Sequence, residues 1–207
     1  MSQPYDRGAH VPQPGQLDPA LNEFWVDNPF EIAPKGYNLS AYERKRTFLN
    51  VRGRDFVDIS FLTGTDGDAD GRAVAVGDFS NNGRQDIVLR QAGGGPLLFF
   101  ENHFPQKHYL EVSLRGVKSN RLGIGARLVA QVQGQQLVRE LFPQNTFASQ
   151  LPNIIHFGLG PATQVDRLTI QWPSGQKQEL TNLPGDRHVV VEEGKSTAET
   201  VIPGQRY

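Results

Sequence analysis

The sharpest arrangement of chemistry-bearing residues is Asp78-Phe-Ser80-Asn-Asn82-Gly83-Arg84-Gln-Asp86. Oxygen-bearing side chains recur at alternate positions, a glycine follows, and a carboxylate closes the segment. Calcium takes about six to eight hard oxygen ligands around a tight loop, and glycine permits the turn. Asp78, Ser80, Asn82 and Asp86 would supply side-chain oxygens, and the backbone near Arg84 a carbonyl. The same residues also read as a polar Asn-Gly hairpin that holds no metal. Ser80 and Asn82 stand where carboxylates would bind more strongly, since ligand charge tunes affinity. A second candidate is Asp66-Gly-Asp68-Ala-Asp70-Gly71, with D-x-D-x-D-G spacing but Val74 at the ninth position. Its clustered acids repel one another unless a cation or water screens them; the alternative is a solvated acidic loop. The two loops are close enough in sequence to share one ion.

Lys118-Ser-Asn120-Arg121 precedes Gly123-Ile-Gly125. Lys and Arg donate many hydrogen bonds, so Lys118, Asn120 and Arg121 suit an anion or carboxylate contact. The favoured alternative is that Asn120 and Arg121 brace the loop against backbone carbonyls, because loop polar groups need partners. No catalytic set stands out. The histidines (His10, His103, His108, His156, His188) include no pair at the i, i+4 spacing of a helical zinc site. His156 reads as structural, flanking a strand. Ser149, His156 and Asp166 make a nominal triad, but Ser149 lacks the G-x-S-x-G turn that exposes a nucleophile. Gly93-Gly-Gly95 lacks the Lys-Ser/Thr of a phosphate loop.

The elements that must hold these residues are strands. The 207 residues contain 22 Gly and 14 Pro but one Met, a balance that favours turns over long helices. From Thr47 onward, short β-branched and aromatic runs alternate with turn residues. Strands are predicted at Thr47–Asn50, Phe56–Ser60, Ala73–Gly77, Asp86–Arg90, Leu97–Asn102 and Tyr109–Leu114. Five more follow at Ala126–Gln133, Gln136–Phe142, Ile154–Gly158, Val165–Trp172 and His188–Glu192. Leu168, Ile170 and Trp172 alternate with polar residues as a half-buried strand should, which places Leu168 and Trp172 in the core. A weak repeat links Phe48-Leu-Asn50 with Phe100-Glu-Asn102, a spacing suited to a propeller blade.

Residues 1–40 hold six of the prolines and read as an extended arm. A short helix is expected where Asp18 caps Pro19, and another turn at Ser40–Glu43. The arm's aromatics, Phe24, Trp25 and Phe30, are residue types that anchor interfaces, so the arm is expected to dock on a protein partner or a second copy. The organisation read from the sequence is therefore an arm at 1–40, a blade-like region at 41–105, a β-domain at 106–193 and a polar tail at 194–207.

With 21 basic and 22 acidic residues, the chain lacks the basic excess that nucleic acid demands. No apolar stretch approaches the ~20 residues of a membrane helix. The first residues show no apolar signal-peptide core. The absence of cysteine excludes disulfides, thiolate metal sites and Cys nucleophiles.

Two family resemblances rest on these residues. GRAVAVGDFSNNGRQDIVL followed by PLLFFEN resembles an FG-GAP/VCBS calcium-binding blade. LRGVKSNRLGIGARLVAQV, Ser149-Gln150, HFGLG at 156–160 and VDRLTIQWPSGQKQEL resemble the ASPIC/UnbV domain over roughly residues 108–192. Leu151 stands where that family usually has Asn. The resemblance implies relatives of the cartilage acidic protein kind, secreted or periplasmic, with calcium bound and a β-propeller ahead of the domain. It also implies relatives encoded with enediyne biosynthesis.

The expected fold is all-β: propeller-like blade material, then a β-sandwich or barrel. The expected function is a non-enzymatic, calcium-associated binding or assembly module that docks on a protein. The alternatives are an enzyme or accessory protein of secondary metabolism, and a secreted module that binds carbohydrate or matrix.

Overall fold

A computed structural model describes residues 12–13, 15–21, 25–28, 31, 35, 44–51, 53–69, 71–91, 96–144, 146–147 and 149–202. Phe24, Phe30, Asp70 and the turn expected at Ser40–Glu43 lie outside the described residues. The fold is all-β, and its sheets are open rather than closed into a barrel. It divides into two compact units, Met1–Arg72 with Leu89–Leu98, and Ala73–Val88 with Phe99–Tyr207.

The second unit is dominated by two four-stranded sheets. One has the order β11-β10-β7-β8, built from β7 (Arg127–Val132), β8 (Gln135–Glu140), β10 (Gln164–Gln171) and β11 (Lys177–Pro184). The other has the order β13-β12-β6-β9, built from β6 (His108–Arg115), β9 (Ile155–Gly160), β12 (Arg187–Glu192) and β13 (Ala198–Thr200). All neighbours are antiparallel except β6 and β12, which run parallel.

Strand alternation sends one set of side chains inward. Leu110, Val112, Phe157 and Val191 from the second sheet join Leu128, Ala130, Leu168 and Ile170 from the first in one buried cluster. This is sandwich packing, with Trp172 at 2% exposure and Leu168 at 0%, as their alternation predicts. The indole N–H of Trp172 donates to Gln178 Oε1 at 2.9 Å, so its one polar atom is satisfied inside the core.

Two strands escape the sequence reading. β11 carries the inward-facing polar residue Gln178 and an interruption at Asn182, which has a positive φ of 54°. Its apolar alternation is therefore broken. β13 lies in the stretch read as a polar tail, which this edge strand corrects: Ala198–Thr200 pairs with β12 through backbone bonds that leave no apolar signature.

The first unit contains a hairpin of β1 (Phe48–Val51) and β2 (Asp55–Asp58), paired antiparallel. The strand expected to run to Ser60 stops at Asp58. The Asp58 carboxylate accepts the Ser60 N–H at 2.9 Å and its hydroxyl at 2.5 Å, which turns the chain into the helical turn α1 (Ser60–Thr63). Further upstream, Asp18 accepts the Ala20 N–H at 2.8 Å and caps a 3-10 turn over Pro19–Leu21, where a short helix is expected. A three-stranded sheet, β3 (Gly71–Gly77), β4 (Asp86–Gln91) and β5 (Leu98–Phe100), contributes residues to both units.

Candidate functional site

The Asp78–Asp86 loop links β3 to β4, and its hydrogen bonds are closed within the second unit. Asp78 accepts the N–H groups of Asn82 at 2.9 Å and Gly83 at 2.6 Å. Asp86, fully buried, accepts the Ser80 N–H at 3.1 Å, the Ser80 hydroxyl at 2.9 Å and the Asn102 N–H at 2.9 Å. Asn82 Oδ1 accepts the Arg84 N–H at 3.0 Å, and the Arg84 guanidinium donates onward to the Phe104 carbonyl at 3.2 Å.

Gly83 has a φ of +83°, and a Cβ there would lie 2.1 Å from the Tyr109 ring, so glycine is required on both counts. Burial, together with the nearby carboxylates of Glu111, Asp78 and Asp186, raises the Tyr109 phenol above its ordinary value. The structure thus brings Asp78, Ser80, Asn82, Arg84 and Asp86 into one loop. Each carboxylate retains lone pairs for a hard cation, while Arg84 places a positive group beside Asn82. Among the described residues, no three His, Asp or Glu side chains converge as a metal site.

The acidic loop at Asp66–Asp68 is built differently. Arg44 pairs with Asp66 at 2.7 Å, and the Lys45 ammonium donates to the carbonyl oxygens of Gly67, at 2.9 Å, and Ala69. The chain's own Arg44 guanidinium screens Asp66, the Lys45 ammonium sits on the loop's carbonyls, and Asp68 is exposed.

At Lys118–Arg121 the anion is internal. Glu193, 6% exposed, accepts the backbone N–H groups of Val117, Lys118 and Ser119 at 2.7, 2.7 and 2.8 Å. It also accepts the hydroxyls of Ser119 at 3.0 Å and Ser174 at 2.5 Å. Burial alone would raise this carboxyl. The Ser119 N–H, the Ser174 hydroxyl, the Val117 N–H and the Ser119 hydroxyl outweigh it and hold Glu193 at about 2. Asn120 exchanges bonds with the backbone of Ile124 at 2.8 and 2.9 Å, and the Arg121 carbonyl accepts the Gly116 N–H at 3.0 Å. Asn120 therefore braces the loop through its side chain and Arg121 through its backbone. The side chains of Lys118 and Arg121 are exposed. Glu193 had no sequence signal, since a lone acid after a strand has no motif.

The nominal triad is not assembled. Ser149 Oγ donates to the Val74 carbonyl at 2.8 Å, and Asp166 accepts the Gln133 N–H at 2.9 Å. Trp25 is half-buried.

Two features lie outside the motifs. The hairpin and the turn after it expose Phe48, Leu49, Val51, Phe56 (64%), Val57, Phe61 (84%) and Leu62 (82%). This was visible in the sequence as apolar residues without alternation. The other feature is a row across three strands, where pairing sets His188 beside Glu111 and Glu111 beside His156. Only the register reveals it.

No helix among the described residues is long and apolar enough to cross a membrane. Comparison with curated proteins finds no match. Residues 116–198, from the Glu193-filled loop to the edge strand β13, match the family model described as ASPIC and UnbV.

Proposed function

We propose that the chain is a non-catalytic assembly module: an ASPIC/UnbV sandwich whose N-terminal unit docks on a protein partner. The observation that carries this reading is the hairpin. An isolated two-stranded hairpin is marginal in water. With the turn after it, this one also exposes seven large apolar side chains between Phe48 and Leu62, and exposed apolar patches mark interaction surfaces. A β-rich partner that pairs with a strand edge and covers these side chains meets both needs. The aromatics Phe24, Trp25 and Phe30 of the arm would extend the same contact.

Calcium belongs to this reading as a stabiliser of the Asp78–Asp86 loop. Its support is the alternate spacing of Asp78, Ser80 and Asn82, closed by Asp86, on a loop that begins one strand of a three-stranded sheet and follows another. Four-stranded blades are the unit of propellers, and the FG-GAP/VCBS resemblance covers this sheet.

Analytical ultracentrifugation tests the docking claim. With its hairpin uncovered, the chain should associate as concentration rises. Phe56→Lys combined with Leu62→Lys should leave it monomeric and equally stable. A wild-type chain that stays monomeric at its highest soluble concentration would contradict the proposal.

A further inference from the structure

The outer face of the β12-β6-β9 sheet carries Glu111 with His188 on one side and His156 on the other. Glu111 is 8% exposed. A carboxylate that deep normally has a close donor, yet the ring nitrogen facing it, His156 Nδ1, stands 3.6 Å away, beyond hydrogen-bond reach. That Nδ1 is itself buried and has no hydrogen-bond partner. The His156 ring is fixed by stacking on Tyr109, with centroids 5.8 Å apart and planes 5° from parallel. His188 does not supply the missing charge: its Nε2 bonds Ser113 Oγ at 2.8 Å. Burial also holds its imidazole below the ordinary value against the pull of Glu111.

These groups line a cavity of about 300 Å³, the low end of the volume of small-molecule sites. Phe79, Phe142 and Ile154 also line it, and all three are large apolar side chains left exposed. Among the described residues that line it, the charged groups are Asp78, Glu111 and Glu140, the last of them 4.0 Å from Arg127, and Arg139, whose guanidinium is turned to the Val138 carbonyl. The local field therefore favours a cation.

We propose that this groove binds a small organic cation, a protonated amine carried on an apolar body. Two acceptors 3.6 Å apart are both within reach of one ammonium nitrogen at about 2.8 Å from each. With its own proton on Nε2, His156 presents Nδ1 as an acceptor, and Glu111 supplies the countercharge. The apolar rim takes the body of the ligand, which a bare metal ion would leave uncovered. The site lies entirely within the second unit and is independent of the docking hairpin.

The test is calorimetric titration of the full chain with 2-phenylethylammonium and with its uncharged counterpart, 2-phenylethanol. The amine should bind saturably and at least tenfold more tightly than the alcohol. Glu111→Gln should weaken the amine at least tenfold, whereas Glu179→Gln on an outer strand should not. Equal affinity for amine and alcohol, no binding of the amine, or an unchanged affinity in Glu111→Gln would each overturn the proposal. So would zinc chloride binding that is lost in His156→Ala while the amine stays silent. Should Glu111→Gln fail to fold, the amine–alcohol comparison on the wild-type chain still decides.

Discussion

Two regions of this molecule spend the same residue types differently. In the sandwich, Leu110, Val112, Phe157, Leu168 and Ile170 are all at 0% exposure. In the β1-β2 hairpin, Phe48, Leu49, Val51, Phe56 and Val57 are equally suited to strands, yet every residue of both strands is exposed. Composition does not separate the two regions; a facing layer does. A sheet buries an apolar face only when a second element packs on it. The sandwich provides that from its own chain, and the hairpin has no such layer among the described residues of its unit.

The largest expected effect is therefore at Trp172. Trp172→Ala removes a buried ring and one of the two donors to Gln178 Oε1, the Gly194 N–H being the other, at a cost of about 3–5 kcal/mol. Phe56→Ala, an aromatic truncated in the hairpin, should change stability by no more than about 0.5 kcal/mol. Urea unfolding of the two variants side by side measures the contrast, and equal losses would remove it.

Glycine substitutions sharpen the same comparison. Gly83 and Gly53 both sit at positive φ, 83° and 70°. Only Gly83 has a ring where its Cβ would go. Gly83→Ala should cost the second unit about 1–3 kcal/mol, while Gly53→Ala should leave the sandwich's melting temperature unchanged. A larger shift from Gly53→Ala would mean that hairpin and sandwich unfold as one.

A third contrast is electrostatic. Glu193 drops from an ordinary 4.5 to about 2 in the folded chain. A depressed carboxyl contributes stability that is complete above the unfolded value and lost as pH falls toward the folded one. The wild-type urea midpoint should therefore fall between pH 4.5 and 2. Glu193→Gln should be less stable at neutral pH and flatter across that window. An unchanged pH slope in the variant would show that the loop does not depend on this carboxylate.

The smallest expected effect is the calcium response. Millimolar calcium should raise the melting temperature by linkage, and Asp86→Ala should abolish the rise. No shift in a chelator-stripped sample would remove calcium from the account.

The strands of the sandwich core were legible wherever burial follows strict alternation, as at Leu168, Ile170 and Trp172. β11 was not, because a buried Gln178 and a left-handed Asn182 break the period. β13 was not, because three edge residues held by backbone bonds need no apolar pattern. The Asp78–Asp86 loop was legible as a loop, since its Asx and glycine chemistry is local. The anion at Lys118–Arg121 was not, because Glu193 arrives from 74 residues further along to meet Ser119. The row of His188, Glu111 and His156 depends on the parallel pairing of β6 with β12, which no local spacing encodes.

Hydrogen exchange followed by mass spectrometry on the full monomeric chain tests the central claim most directly. Amides of β6, β7, β10 and β12 should exchange only through global unfolding, and those of β1 and β2 orders of magnitude faster. Protection of β1 and β2 equal to that of the sandwich would contradict a hairpin that waits for a partner.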